Sequence, residues 1–409
     1  MEHYYQCINC SSRYDTSEMI YACPRCEDLL EIRFDYEPSA SQIDTKLWRS
    51  RSFSVWRYRE LIPIESATSI VTLGEGGTGL HRSQKLADDL GLGRLSIKFE
   101  GENPTGSFKD RGMTVGVSKA VEMQAKIVAC ASTGNTSASL SAYAARAGLR
   151  CIVLVPEGKV ALGKLSQTIA HGATILEIEG NFDEALRSVI ELTKRNPSIA
   201  LLNSINSFRL EGQKTLAFEV CDQLDFTSPD ILIVPVGNAG NISAIWKGFD
   251  ELRRLQVIEK APRMIGIQAE GAAPIASAYK GKSIHIQPVE RPETIATAIR
   301  IGAPASWKKA LRAVNDSGGL METVSDKEIL QAQKDLARRE GLFVEPASAS
   351  SIAGLRKLLE REAIEGDEEV VCVATGHGLK DPEVAARIGE APVKTICDIK
   401  SIERTLGLR

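Results

Sequence analysis

Apolar positions recur along this chain at two periods. Short runs rich in Val, Ile and Cys take turns with stretches whose apolar residues return every three or four positions. The runs 95–99, 127–131, 151–155, 174–178, 231–236 and 370–374 predict strands. The stretches 83–90, 107–124, 136–147, 161–170, 182–195, the segment ending at Leu255, and 326–340 predict helices. Strand and helix in alternation predict βαβ units wound on parallel sheet, an α/β fold whose ligands bind at the carboxyl ends of the strands. Between 270 and 320 the text is Ala-, Gly- and Pro-rich and predicts little.

Length divides this pattern. A chain of 409 residues exceeds one ordinary core, so two doubly wound domains with an appendage are expected. The divisions fall at 1–36, a small cysteine-bearing segment; 37–69, a polar arm with Pro38, Ser39 and Ser41; 70–115 with 205–390, a large domain; 116–204, a small α/β domain; and 391–409, a tail. A net charge of -3 without a long Lys/Arg block argues against nucleic acid as partner. No apolar run approaches a membrane span, and Met1-Glu2-His3-Tyr4-Tyr5 lacks the features of a signal peptide, so a cytoplasmic location is expected. Cys130, Cys151 and Cys372 fall in apolar runs, where a reduced thiol packs as a small core residue.

Candidate chemistry sits in the loops. Cys7-x-x-Cys10 and Cys23-x-x-Cys26 can aim four thiolates at one ion, the pattern of a zinc ribbon with a structural and no catalytic task; a metal-free remnant packed on the next domain is the alternative. Lys109 stands in Gly106-Ser107-Phe108-Lys109-Asp110-Arg111-Gly112, at a corner where a strand gives way to a helix. A desolvated amine there can form a Schiff base with an aldehyde cofactor; a solvated lysine paired with Asp110 is the alternative. Ser132-Thr133-Gly134-Asn135-Thr136 follows a strand and opens a helix, which makes it an anion pocket or a generous cap. Arg209, among the amides and hydroxyls of 202–214, suits a phosphate, or else belongs to an ordinary surface loop. Gly237-Asn238-Ala239-Gly240-Asn241 lets backbone approach an anion at a helix N-terminus, as a cofactor phosphate needs. The glycine-dense 73–80 lacks the lysine of a triphosphate loop, and His285 reads as a surface or packing residue.

Taken in order, these stretches resemble the pyridoxal-phosphate enzymes built like the tryptophan synthase β-subunit, of fold type II. The lysine motif resembles that of threonine synthases most closely, and the resemblance covers roughly 70–385. It implies that Lys109 binds pyridoxal 5'-phosphate, that Asn135 faces the cofactor's 3-hydroxyl, and that Thr375 meets its pyridine nitrogen. It implies further that Gly237, Asn238, Ala239, Gly240 and Asn241 hold the cofactor phosphate. Ser132, Thr133 and Thr136 would take the substrate carboxylate, and Asn203, Ser204 and Arg209 the substrate phosphate. Thr136 after the asparagine, Asn238 and Asn241 in the phosphate loop, and the ending Gly376-His377-Gly378-Leu379-Lys380-Asp381 set the chain apart from the serine and threonine dehydratases. The implied reaction converts O-phospho-L-homoserine and water to L-threonine and phosphate, in a homodimer. His377 is left without a role, because the resemblance gives the proton transfers to Lys109. The alternatives are a related replacement or elimination on phosphoserine, serine or threonine, and a retired relative that serves as a zinc-dependent interaction protein.

Overall fold

The computed structural model describes residues 1–36, 43–158, 162–180, 182–384, 389 and 392–408. Strands β1 (His3–Cys7), β2 (Arg13–Tyr14) and β3 (Leu30–Phe34) form a small antiparallel sheet in the order β2-β1-β3. The chain then lays down β4 (Leu80–Arg82) and β5 (Arg94–Phe99) and leaves for a second sheet made of β6 (Ile127–Ala131), β7 (Arg150–Pro156), β8 (Thr174–Ile178) and β9 (Ile199–Leu201). That sheet is parallel throughout, in the order β8-β7-β6-β9. The chain returns with β10 (Ile231–Pro235), β11 (Arg263–Ala269), β12 (Leu320–Val324) and β13 (Glu369–Ala374) to complete a six-stranded sheet, β12-β11-β10-β13-β5-β4. Only β4 runs antiparallel there.

β10 reads Ile-Leu-Ile-Val-Pro and is buried along its whole length, as a central parallel strand covered on both faces must be. Its side chains alternate between two cores. Ile231 and Ile233 join Ile97, Cys372, Ile352 and Leu355 on one face. Leu232 and Val234 join Val371, Phe218, Ile242 and Phe249 on the other.

β5, β13 and β10 are parallel, so Phe99, Ala374 and Pro235 end on one rim of the sheet. The Lys109 corner, the Thr375 segment and the Gly237 loop therefore leave from the same edge.

Three expectations change. The stretch around Arg209 is a helix, Ser207–Gln213, because the Asn206 side chain caps it by accepting from the Arg209 N–H at 3.3 Å. It lies backbone to backbone on the helix Lys109–Glu122, where a Cβ on Gly212 would collide with the Arg111 carbonyl. The arm is more than a connector: Pro38, Ser39 and Ser41 lie outside the described residues, but Trp48 is buried and meets Tyr58 edge-on at 5.0 Å. The stretch that predicted little holds the helices Pro274–Lys280 and Trp307–Asp316. Among the described residues no helix is long and apolar enough to cross a membrane.

Candidate active site

The lysine corner is built from its own side chains. Asp110 accepts from both the N–H and the hydroxyl of Thr105, each at 2.7 Å, and from Ser139. Its carboxylate is thus committed to the turn and not to Lys109, which removes the solvated ion-pair alternative. The corner is then clipped to the segment after β13: the Phe108 N–H donates to the Thr375 carbonyl at 3.0 Å, and the His377 N–H donates to the Gly106 carbonyl at 2.9 Å. Lys109 is left half-buried, with its Nζ 4.1 Å from the centre of the Phe108 ring. Burial, reinforced by the Arg209 cation and opposed by Glu345, brings the Lys109 amine down to about 7. A substantial share of an amine so placed is free at neutral pH, as a nucleophile and base must be.

Glu345 carries no role in the sequence reading. In the structure its carboxylate accepts from Asn135 Nδ2 at 2.9 Å and from the Thr375 hydroxyl at 3.0 Å. Asn135 starts the helix after β6 and Thr375 follows β13, so this one acid joins loops from two sheets. Burial raises its pKa, with the bonds from Asn135 and Thr375 pulling the other way. Its one sequence signal is an acid directly before a Pro-initiated helix. Ser348 steadies Thr375 hydroxyl to hydroxyl at 3.1 Å and takes the Gly376 N–H at 2.9 Å.

The remaining groups fall into two anion seats. Ala239 takes a left-handed φ of 66° at the start of the helix Gly240–Arg254. Beside it both polar atoms of the buried Asn241 amide lack a partner, and so does the Ser306 hydroxyl. Gly237 is tight against backbone, where a Cβ would sit 3.0 Å from Ile299 Cα; at Gly240 a Cβ would press on Leu210 Cδ2 at 3.3 Å. A glycine-lined helix start with orphaned buried donors fits a phosphate such as that of pyridoxal 5'-phosphate. Asn238 is half-buried, and its side chain accepts from the Ala305 N–H at 3.3 Å.

Arg209 is buried; its Nη1 donates to the Leu202 carbonyl at 3.0 Å, while its Nε has no partner among the described residues. Among the described residues no carboxylate pairs with it, and burial lowers it to about 10. A guanidinium so enclosed is a ready anion receptor. Asn203 is engaged elsewhere: its amide accepts from the Ala131 N–H at 2.9 Å and donates to the Ala131 carbonyl at 3.0 Å. It holds the end of β6 in place. Ser132, Thr133, Thr136 and Ser204 are half-buried, and Ser132 accepts from the Gly134 N–H at 3.2 Å.

Two histidines take packing roles. His377 lies between Phe99 and Phe343, with Nδ1 accepting from the Leu379 N–H at 3.1 Å. His285 is exposed against Trp307. The sulfurs of Cys7, Cys10, Cys23 and Cys26 all lie within 4.8 Å of one another, as four ligands of one metal would.

Residues 71–376 match the family of pyridoxal-phosphate dependent enzymes. The chain is 57% identical over 401 residues to a threonine synthase of Methanocaldococcus jannaschii, covering 98% of each protein. It is 52% identical to one of Methanosarcina acetivorans, covering 99% of this chain and 98% of the relative. It is 49% identical to one of Mycobacterium tuberculosis, over 84% of this chain and 94% of the relative. Among solved structures, maize serine racemase superposes with a TM-score of 0.68 at 20% identity, covering 83% of this chain and 97% of that one. A tomato (Solanum lycopersicum) threonine deaminase gives 0.67 at 22%, over 82% and 92%. These likenesses bear out the fold type II expectation, and the chain belongs to the pyridoxal-phosphate dependent enzymes, in their threonine synthase family.

Proposed function

We propose that this site converts O-phospho-L-homoserine and water to L-threonine and phosphate with the residues that the corner brings together. Bound there, pyridoxal 5'-phosphate supplies the electron sink that makes the substrate carbons acidic. Lys109 would hold the cofactor, Gly237 to Asn241 its phosphate, and Asn135 and Thr375 the ring's polar atoms. Thr375, once its hydroxyl turns from Glu345, would offer a neutral donor that bonds a pyridine nitrogen without fully protonating it. Once displaced by the substrate, the Lys109 amine would take protons from Cα and Cβ. The Cγ–O bond breaks with phosphate as leaving group, Cγ gains a proton to become the methyl group, and water adds its hydroxyl at Cβ as Cα is reprotonated. Ser132, Thr133 and Thr136 would take the substrate carboxylate. Arg209 and Ser204 would take the phosphate, while Asn203 would fix Ala131, where the carboxylate loop begins.

The observation that carries the choice of a phosphorylated substrate is Arg209, a buried cation without a carboxylate partner among the described residues. The likeness to threonine synthases over nearly the whole chain supports the reaction. The division into a small lobe at 116–204 and a large one at 70–115 with 205–390, the cytoplasmic location and the homodimer belong to the same proposal. Protein loaded with the cofactor and given O-phospho-L-homoserine should release threonine and phosphate in equal amounts. Bound-cofactor absorbance without either product would move the search to other amino acids; equal turnover of unphosphorylated homoserine would remove Arg209 from substrate binding.

A further inference from the structure

The cysteine-bearing segment reaches further than its size requires. Its strand β3 is fastened to the large sheet's helices: the Leu30 carbonyl accepts from Ser207 at 2.8 Å and from Lys309 at 2.9 Å, and the Ile32 carbonyl accepts from Lys247 at 2.7 Å. Arg312 pairs with Glu31 at 2.6 Å. The twelve residues between Cys10 and Cys23 lean the other way, onto β9. There the Tyr21 hydroxyl accepts from the Leu201 N–H at 2.7 Å and donates to the Met19 sulfur at 3.0 Å. Met19 also takes a contact from Asn206 Nδ2 at 3.5 Å. Asn206 caps the helix that carries Arg209. The segment therefore straps the edge of one sheet to helices of the other, across residues 201–209.

That strap has almost no core. Between Cys10 and Cys23 only Thr16 is buried. Such a loop cannot bury enough apolar surface to order itself, so its closure depends on the cysteines at its base. They are free thiols, with Cys7 and Cys26 sulfurs 3.4 Å apart and Cys10 and Cys23 sulfurs 3.6 Å apart. Sulfurs around a tetrahedral zinc at about 2.3 Å stand about 3.8 Å from each other. The N–H groups of Asn9 and Cys10 point at the Cys7 sulfur, at 3.4 and 3.5 Å, as donors to a thiolate do.

We propose that Cys7, Cys10, Cys23 and Cys26 hold one thiophilic divalent ion, zinc by chemistry, and that this ion fixes Met19 and Tyr21 against the 201–206 segment. Binding releases the thiol protons to solvent and leaves a closed four-sulfur shell, so the ion has no open position for catalysis. Its effect is mechanical: it orders the segment that leads into Arg209. The consequence for substrate rests on the reading of Arg209 given above; the ordering does not.

The test uses the full chain loaded with pyridoxal phosphate. Elemental analysis should find one zinc per chain, and cobalt added to stripped protein should give the absorption of a tetrahedral thiolate site. Hydrogen exchange followed by mass spectrometry, with and without the metal, should show 199–206 exchanging faster once a chelator or Cys10→Ser has removed it, while 231–235 stays protected. Tyr21→Phe should keep its zinc and speed exchange at the Leu201 amide by about fivefold, the effect of one hydrogen bond of about 1 kcal/mol. Absence of zinc together with no cobalt uptake would overturn the proposal, as would unchanged exchange at 199–206 after metal removal. Faster exchange with an unchanged KM for O-phosphohomoserine would leave the strap standing and overturn its consequence for substrate binding through Arg209.

Discussion

Replacing Glu219 by glutamine should destabilise the fold by about 3 kcal/mol, through charge balance and not through shape. Two residues beyond Lys109, Arg111 is fully buried between two acids. It donates to Glu100 at 2.6 and 2.8 Å and to Glu219 at 2.6 and 2.7 Å. Lys98 adds a second buried cation, 2.9 Å from Glu219. Two positive and two negative groups cancel, and Glu219→Gln leaves one buried positive charge uncompensated. Burial pushes the Glu219 carboxyl upward, yet Arg111 and Lys98 overcome that and bring it from 4.5 to about 2. A shift of that size corresponds to about 3 kcal/mol, the lower end of the roughly 3–5 kcal/mol lost when a buried pair is broken. The carboxyl is depressed, so its stabilisation is complete above the unfolded value near 4.5 and disappears as the pH falls through about 2. Urea unfolding followed by tryptophan fluorescence should therefore show the gap between variant and parent closing as the pH is lowered from about 5. Adding Lys98→Met restores neutrality and should recover about 1 kcal/mol or more, even though the Thr78 carbonyl and Gln223 lose a donor. A cost for Glu219→Gln below about 1 kcal/mol, or a second substitution that only adds to the loss, would refute the charge argument.

The Lys109 amine attacks only when unprotonated, so capture of pyridoxal phosphate by the cofactor-free protein should quicken with rising pH and level off above about 7. Arg209→Gln removes a neighbouring cation and should move that midpoint upward; a parent midpoint near 10 would contradict the desolvated corner, and absorbance reads both. Asn203→Ala should strand the Ala131 N–H and carbonyl, both buried, at a cost of about 2 kcal/mol in thermal or urea unfolding. It should also raise KM, because the loop of Ser132 to Asn135 begins at Ala131.

Much of this was legible because it is periodic or local. Ile231–Pro235 announces a doubly covered strand by composition alone, and Lys109 stands at a strand-to-helix corner that turn residues mark on both sides. The stretch around Arg209 was misread as a loop because its seven residues are too few to display a period, and because its burial comes from contact with Gly112 and Gly116. β11 went unseen because a glycine sits at its centre. Gly266 is needed there, since a Cβ would press on Met321 and Ile242 from neighbouring elements.

What no local pattern could disclose is how the lysine is tuned. The position of the Lys109 amine is set by residues 105–110, but its proton affinity, lowered first by burial, is adjusted by Arg209 and Glu345, roughly a hundred and more than two hundred positions away and of opposite sign. A single-sequence reading weighs neighbours, and these two become neighbours only when the helix Ser207–Gln213 lies on the lysine helix and Glu345 spans Asn135 and Thr375. The arrangement has a chemical direction on the proposed reading. Before substrate arrives, the unpaired Arg209 helps to keep the amine free for the cofactor. Once a phosphate neutralises that cation, the amine's affinity for a proton rises, and Lys109 becomes a stronger base at the stage when a substrate carbon must give one up.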